Sequence, residues 1–252
     1  MDVSRFAGHD GAQLAYREVG SGRPLILLHG FLGSGSFWLD HGPADALAER
    51  GFRLILPDLR GHGQSTRSHD QDRYPPDVLA DDGLALIEHL GLGAGEYDLG
   101  GYSLGARVVV RMLARGAEPG RAVVAGQGLA KVSGPQRGGV TERALTSLVD
   151  GVALEPGSAD ATMAHWVGQA DADPQALLHV FRSLVPTPED DLRRITPPTL
   201  VLIGDRDERS DADQLAALLP AGRYVQVPGG HADAFTAPEF GTAIAAFLTE
   251  SR

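Results

Sequence analysis

Short, continuously apolar runs alternate along this chain with longer stretches in which apolar side chains return every three to four residues. Residues 24–29, 53–59 and 97–103 are runs of the first kind, and residues 76–90 and 104–115 are stretches of the second. Leu25-Ile26-Leu27-Leu28 and Leu54-Ile55-Leu56 do not alternate with polar residues, as expected of parallel strands covered on both faces. After Leu104, the residues Ala106, Val109, Val110 and Leu113 fall on one helical stripe, with Arg107, Arg111 and Arg115 recurring at intervals of four beside it. That arginine stripe reads as a solvated face. Further strands are predicted at 121–126, 199–203 and 224–227, and a last helix at 238–248. The pattern therefore predicts an α/β fold, a mostly parallel central sheet flanked by helices.

The rhythm breaks between residues 129 and 195 into helical patches punctuated by Gly and Pro. This segment is expected to be a helical cap inserted into a core made of residues 1–128 and 196–252. Met163, Trp166 and Phe181 in it could line a pocket, although such residues at helical spacing more often serve a core.

Composition narrows the functional classes. The 252 residues carry 22 basic and 33 acidic side chains, a formal net charge of −11, which disfavours nucleic acid and anionic membrane surfaces as partners. The first eleven residues lack the basic start and apolar stretch of a secretory signal, and no apolar run is long enough to span a bilayer. A cytoplasmic protein is expected. With no cysteine, thiol nucleophiles, disulfides and thiolate metal sites are excluded. The 33 glycines mark many tight turns.

Four of those turns carry chemistry. Gly101-Tyr102-Ser103-Leu104-Gly105 lies where a predicted strand meets a helix, so the serine would project from a sharp turn and the Leu104 amide would sit at a helix N-terminus, ready to stabilise an oxyanion. On its own this short motif is weak, because a Gly-rich chain can produce it by chance. His29-Gly30-Phe31-Leu32-Gly33 follows another strand, and the Phe31 amide is the expected second oxyanion donor. His29 is expected to order that loop. A serine hydroxyl needs an imidazole to take its proton and a carboxylate to hold the imidazole's tautomer. His231, in the Gly-rich loop after the last strand, fits the base, while His62, His165 and His179 read as loop or cap histidines. The loop Gly204-Asp205-Arg206-Asp207 offers two candidate acids, and either aspartate could equally serve a turn. The other edge position, Gly126-Gln127-Gly128, has no carboxylate.

Together with the segment from Asp58 to Ser65, these motifs stand in an order that resembles the α/β-hydrolase superfamily across nearly the whole chain. The resemblance implies an α/β-hydrolase fold, Ser103, Asp207 and His231 as catalytic residues, Phe31 and Leu104 as oxyanion donors, and a structural role for the Asp58 segment. Tyr102 before the nucleophile, Arg107 four residues after it, and Phe37-Trp38 are similar to the SHCHC synthases, lyases with the same triad. By that likeness Tyr102, Arg107 and Trp38 become candidate substrate-binding residues, and Trp166 joins them as an aromatic side chain of the cap. The expected activity is hydrolysis of a small ester through an acyl-enzyme, with no metal or cofactor. A lyase or carbon–carbon hydrolase using the same triad, and a non-catalytic small-molecule receptor, are the alternatives.

Overall fold

A computed structural model of the chain describes residues 2–134 and 137–250. Residues 1, 135–136 and 251–252 of the expected core and cap spans lie outside the described residues. Eight strands form one sheet: β1 (Ser4–Ala7), β2 (Gln13–Gly20), β3 (Arg23–Leu28), β4 (Phe52–Pro57), β5 (Asp98–Tyr102), β6 (Ala122–Ala125), β7 (Thr199–Gly204) and β8 (Gly222–Val227). Their spatial order is β1-β2-β4-β3-β5-β6-β7-β8. The first two pair antiparallel and join β4 antiparallel, and every other pairing is parallel. The opening hairpin was not foreseen from the pattern. Its apolar residues are few and interleaved with Arg17 and Glu18, because it lies at the sheet's edge and half of β2 remains open to solvent.

Helices α1 (Phe37–Asp40) and α2 (Ala44–Ala48) follow β3, α3 (Val78–His89) follows β4, and α4 (Leu104–Ala114) follows β5. Between β6 and β7 the chain leaves the sheet for α5 (Leu129–Ser133), α6 (Val140–Asp150), α7 (Ala159–Gln169), α8 (Pro174–Ser183) and α9 (Glu189–Leu192). It returns through α10 (Ala212–Leu218) and α11 (Pro238–Thr249). The continuous apolar strands feed two cores. Ile26 and Leu28 join Val124 and Val201 under α3, α4 and α10, whereas Leu25 and Leu27 join Val123 and Leu200 against α2 and α11. Successive side chains point to opposite faces, so a strand covered by helices on both sides must be apolar at every position.

The expected solvated stripe on α4 is corrected by the structure. Arg107 is only 8% exposed. Arg111 and Arg115 pair with Asp77, and Arg115 also with Asp81, at the start of α3. Helix α4 is covered by α3 on one side and by the returning cap segment on the other. A helical stripe in the sequence cannot show this second cover.

Candidate active site

Strands β3 and β5 are neighbours, but the connection from β3 runs to β4 on one side while β5 leads to β6 on the other. The chain segments leaving their carboxyl ends therefore diverge and open a crevice, the usual ligand position in open α/β sheets. Ser103 stands at this crevice, with φ 54° and ψ −109°, a conformation that side chains seldom tolerate. Two glycines make the turn possible. A Cβ on Gly105 would come within 2.2 Å of the Leu28 carbonyl oxygen, and one on Gly101 within 2.4 Å of the Gly105 carbonyl carbon. The turn is further held by the Ser103 amide donating to the Ala125 carbonyl at 2.9 Å and the Gly105 amide donating to the His29 carbonyl at 3.0 Å.

The three loops converge. His231 Nε2 lies 2.9 Å from Ser103 Oγ, and its Nδ1 lies 2.8 Å from Asp207 Oδ2. Asp207 Oδ1 accepts from the Arg209 amide at 3.1 Å and from Arg209 Nη1 at 3.0 Å. Burial pushes the Asp207 carboxyl up, but the hydrogen bonds from His231 and from the Arg209 amide outweigh it and hold its pKa down at about 2. Of the two aspartates, Asp207 is the one that meets His231. Asp205 instead accepts from the Gly229 amide at 2.9 Å, tethering the loop that carries His231. Tyr102 stacks on the His231 ring, centroids 5.4 Å apart, and its hydroxyl donates to the His231 carbonyl. It braces the imidazole from beneath. Among the described residues neither the Phe31 nor the Leu104 amide finds an acceptor.

Supporting contacts around the crevice had little signal in the sequence. His29 is enclosed; its Nδ1–H donates to the Gly30 carbonyl at 2.8 Å and its Nε2 accepts from the Leu59 amide at 3.0 Å. Burial, with His62 alongside, drops its pKa to about 3, so it stays a neutral tie between two loops, as expected. His62 bridges the carbonyls of Phe31 at 2.8 Å and Arg60 at 3.0 Å, which ties the Phe31 loop to the Asp58 segment. Asp58 in turn accepts from the Gly35 amide at 2.7 Å and the Gln64 amide at 2.8 Å. Gln127, at the edge position without a carboxylate, donates from Nε2 to the Ser103 carbonyl at 2.8 Å.

A family model of the alpha/beta hydrolase fold matches residues 23–128. A non-heme haloperoxidase of Rhodococcus erythropolis is 30% identical over 246 residues, spanning 87% of this chain and 89% of the relative. The chain belongs to the α/β-hydrolase superfamily. Among solved structures of this fold, a thermophilic esterase from Thermogutta terrifontis superposes with a TM-score of 0.79 at 25% identity, over 98% of both chains. The enol-lactonase of Burkholderia xenovorans LB400, at 22% identity and a TM-score of 0.76 over 98% of this chain and all of that one, shares the fold.

In this α/β-hydrolase the cap helices lie over the Phe31 loop. Phe31 meets Phe181 edge to face at 6.2 Å, and Phe31, Leu32, Met163 and Phe181 close a small apolar cluster around Leu145 and Leu178. The remaining candidate substrate residues are scattered. Trp38 is 0% exposed and packs on Phe235 in the core, so it is a core residue rather than a pocket wall. Trp166 is 53% exposed on α7. Among the described residues no three His, Asp or Glu side chains gather as a metal site would require, and no helix is long and apolar enough to cross a membrane.

Proposed function

We propose that this α/β-hydrolase cleaves small carboxylic esters with Ser103 as nucleophile. The observation that carries this reading is the unbroken relay from Asp207 through His231 to Ser103 Oγ, with the Phe31 and Leu104 amides unengaged among the described residues where the chain leaves β3 and β5. His231 takes the hydroxyl proton as Ser103 attacks the acyl carbon, Asp207 holds the imidazole's tautomer, and the Phe31 and Leu104 amides receive the oxyanion. His231 then protonates the leaving alcohol and activates water to release the acid. Residues 129–195 act as the cap, and the apolar side chains of Phe31, Met163 and Phe181 favour an uncharged, compact acyl group.

The likeness to a haloperoxidase supports a second outcome at the same centre: hydrogen peroxide in place of water attacks the acyl-enzyme, giving a peroxy acid and free Ser103. Both arms are read in one experiment. Wild-type protein should release a burst of p-nitrophenol from p-nitrophenyl acetate and then turn over, and peroxide should divert part of the product to peracetic acid. Ser103→Ala should lose the burst and about 10⁴ to 10⁶-fold of turnover while unfolding at the wild-type temperature. Equal rates for the two proteins would end the proposal.

A further inference from the structure

We propose that Arg107 holds a monovalent anion of halide size in the cleft between α4 and the segment that leaves α8. Arg107 is nine-tenths buried, and among the described residues its guanidinium meets no hydrogen-bond acceptor and no carboxylate. Its Nη2 is fully enclosed without a partner. Burial alone draws its pKa down, to about 10, with no opposing charge to raise it.

The surrounding charges explain why the cation is left over. Both oxygens of Asp77 are taken, by Arg111 at 2.6 and 3.0 Å and by Arg115 at 3.3 Å, and Asp81 holds Arg115 at 2.5 Å. Three guanidinium groups therefore face two carboxylates, and the one without a counterion is the buried one. A charge removed from water in this way is strongly disfavoured unless paired.

The cleft supplies room for a partner. Arg107 shares it with Ser183 and with the Asp77–Arg111 ion pair, among the apolar side chains of Leu79, Val108, Leu184 and Val185, and its volume is about 10 Å³, close to what a single water requires. So small a space favours a monatomic anion over an organic carboxylate. A water would satisfy one or two N–H groups but leave the charge, whereas a halide does both. None of Ser103, Asp207 and His231 lines this cleft, so the inference stands apart from the esterase reading.

The test is thermal unfolding at constant ionic strength, with chloride or bromide exchanged for bulky isethionate. For wild-type protein the midpoint should rise by about 5 °C or more at a hundredfold excess of halide over its Kd, in saturable fashion. Arg107→Met should have the same midpoint in both salts. A wild-type midpoint indifferent to halide, a halide response retained in Arg107→Met, or an equal response to acetate would each overturn the assignment. Should Arg107→Met not fold, anomalous scattering from bromide-soaked wild-type crystals decides the matter: a peak within hydrogen-bonding reach of Arg107 supports the site, and its absence refutes it.

Discussion

Replacing Asp207 by Asn isolates what the carboxylate does, because the surroundings dictate which way the amide must turn. Asp207 Oδ1 receives two donors from Arg209, the amide at 3.1 Å and Nη1 at 3.0 Å. In Asp207→Asn the side-chain oxygen must stay on Arg209, since the opposite orientation would set its NH2 against two N–H groups. The NH2 then faces His231 Nδ1, now 2.8 Å from a carboxylate oxygen, and that nitrogen can only accept. The proton is forced to Nε2, which lies 2.9 Å from Ser103 Oγ, so His231 offers a hydrogen to the serine instead of a lone pair. The expected loss is about 10⁴-fold in kcat, equivalent to about 5.5 kcal/mol of transition-state stabilisation, with KM little changed. The side chain keeps its shape and most of its contacts, so unfolding should shift by no more than about 1–2 kcal/mol. Steady-state hydrolysis of p-nitrophenyl acetate, beside calorimetry of the same samples, measures both. The neighbouring Asp205→Asn is the control: an asparagine oxygen still accepts from the Gly229 amide, the lost ion pair with Arg206 at 3.5 Å is solvent-exposed, and its rate should stay within a few fold. A rate for Asp207→Asn within tenfold of wild type in a folded protein would refute the tautomer argument.

Two further outcomes follow from the same contacts. Gly105→Ala places a methyl 2.2 Å from the Leu28 carbonyl oxygen and 2.5 Å from its carbon, both backbone atoms that cannot swing away, so it should cost about 3 kcal/mol and lower the unfolding midpoint by roughly 6–12 °C in calorimetry. The Asp207 carboxyl, held down at about 2, well below the ordinary carboxylate range, contributes stability that is complete above about pH 5 and is lost as pH falls toward 2. With partial screening this amounts to about 1 kcal/mol, read as a steeper acid limb of urea-unfolding stability in wild type than in Asp207→Asn.

The parts of the fold that were legible in the sequence are those where one local rule suffices. Strands β3, β4 and β7 are buried on both faces and therefore carry unbroken apolar runs, and α4 carries its stripe because one side rests on the sheet. The hairpin of β1 and β2 was not legible, because an edge strand needs few apolar residues and its place depends on the partner β4. In the site, Ser103, His231 and the loop holding Asp205 and Asp207 could be singled out, since each follows a strand and the Gly-rich spacing reflects a tight turn. What stayed hidden there was partnership. Arg209 fixing Asp207, Tyr102 bracing His231, Gln127 on the Ser103 carbonyl and His62 bridging the Phe31 loop all join residues far apart in the chain or ordinary in local context.

The sequence by itself determined an α/β architecture and the chemical groups presented at the ends of its strands, because period and turn chemistry are local properties of the chain. Only the tertiary structure decided which aspartate meets His231, that Trp38 is sealed against Phe235, and that Arg107 is enclosed between α4 and the returning cap segment instead of facing water. Burial and charge pairing are set by what folds over a residue, and for Arg107 that cover arrives from about eighty positions farther along the chain, at Leu184 and Val185.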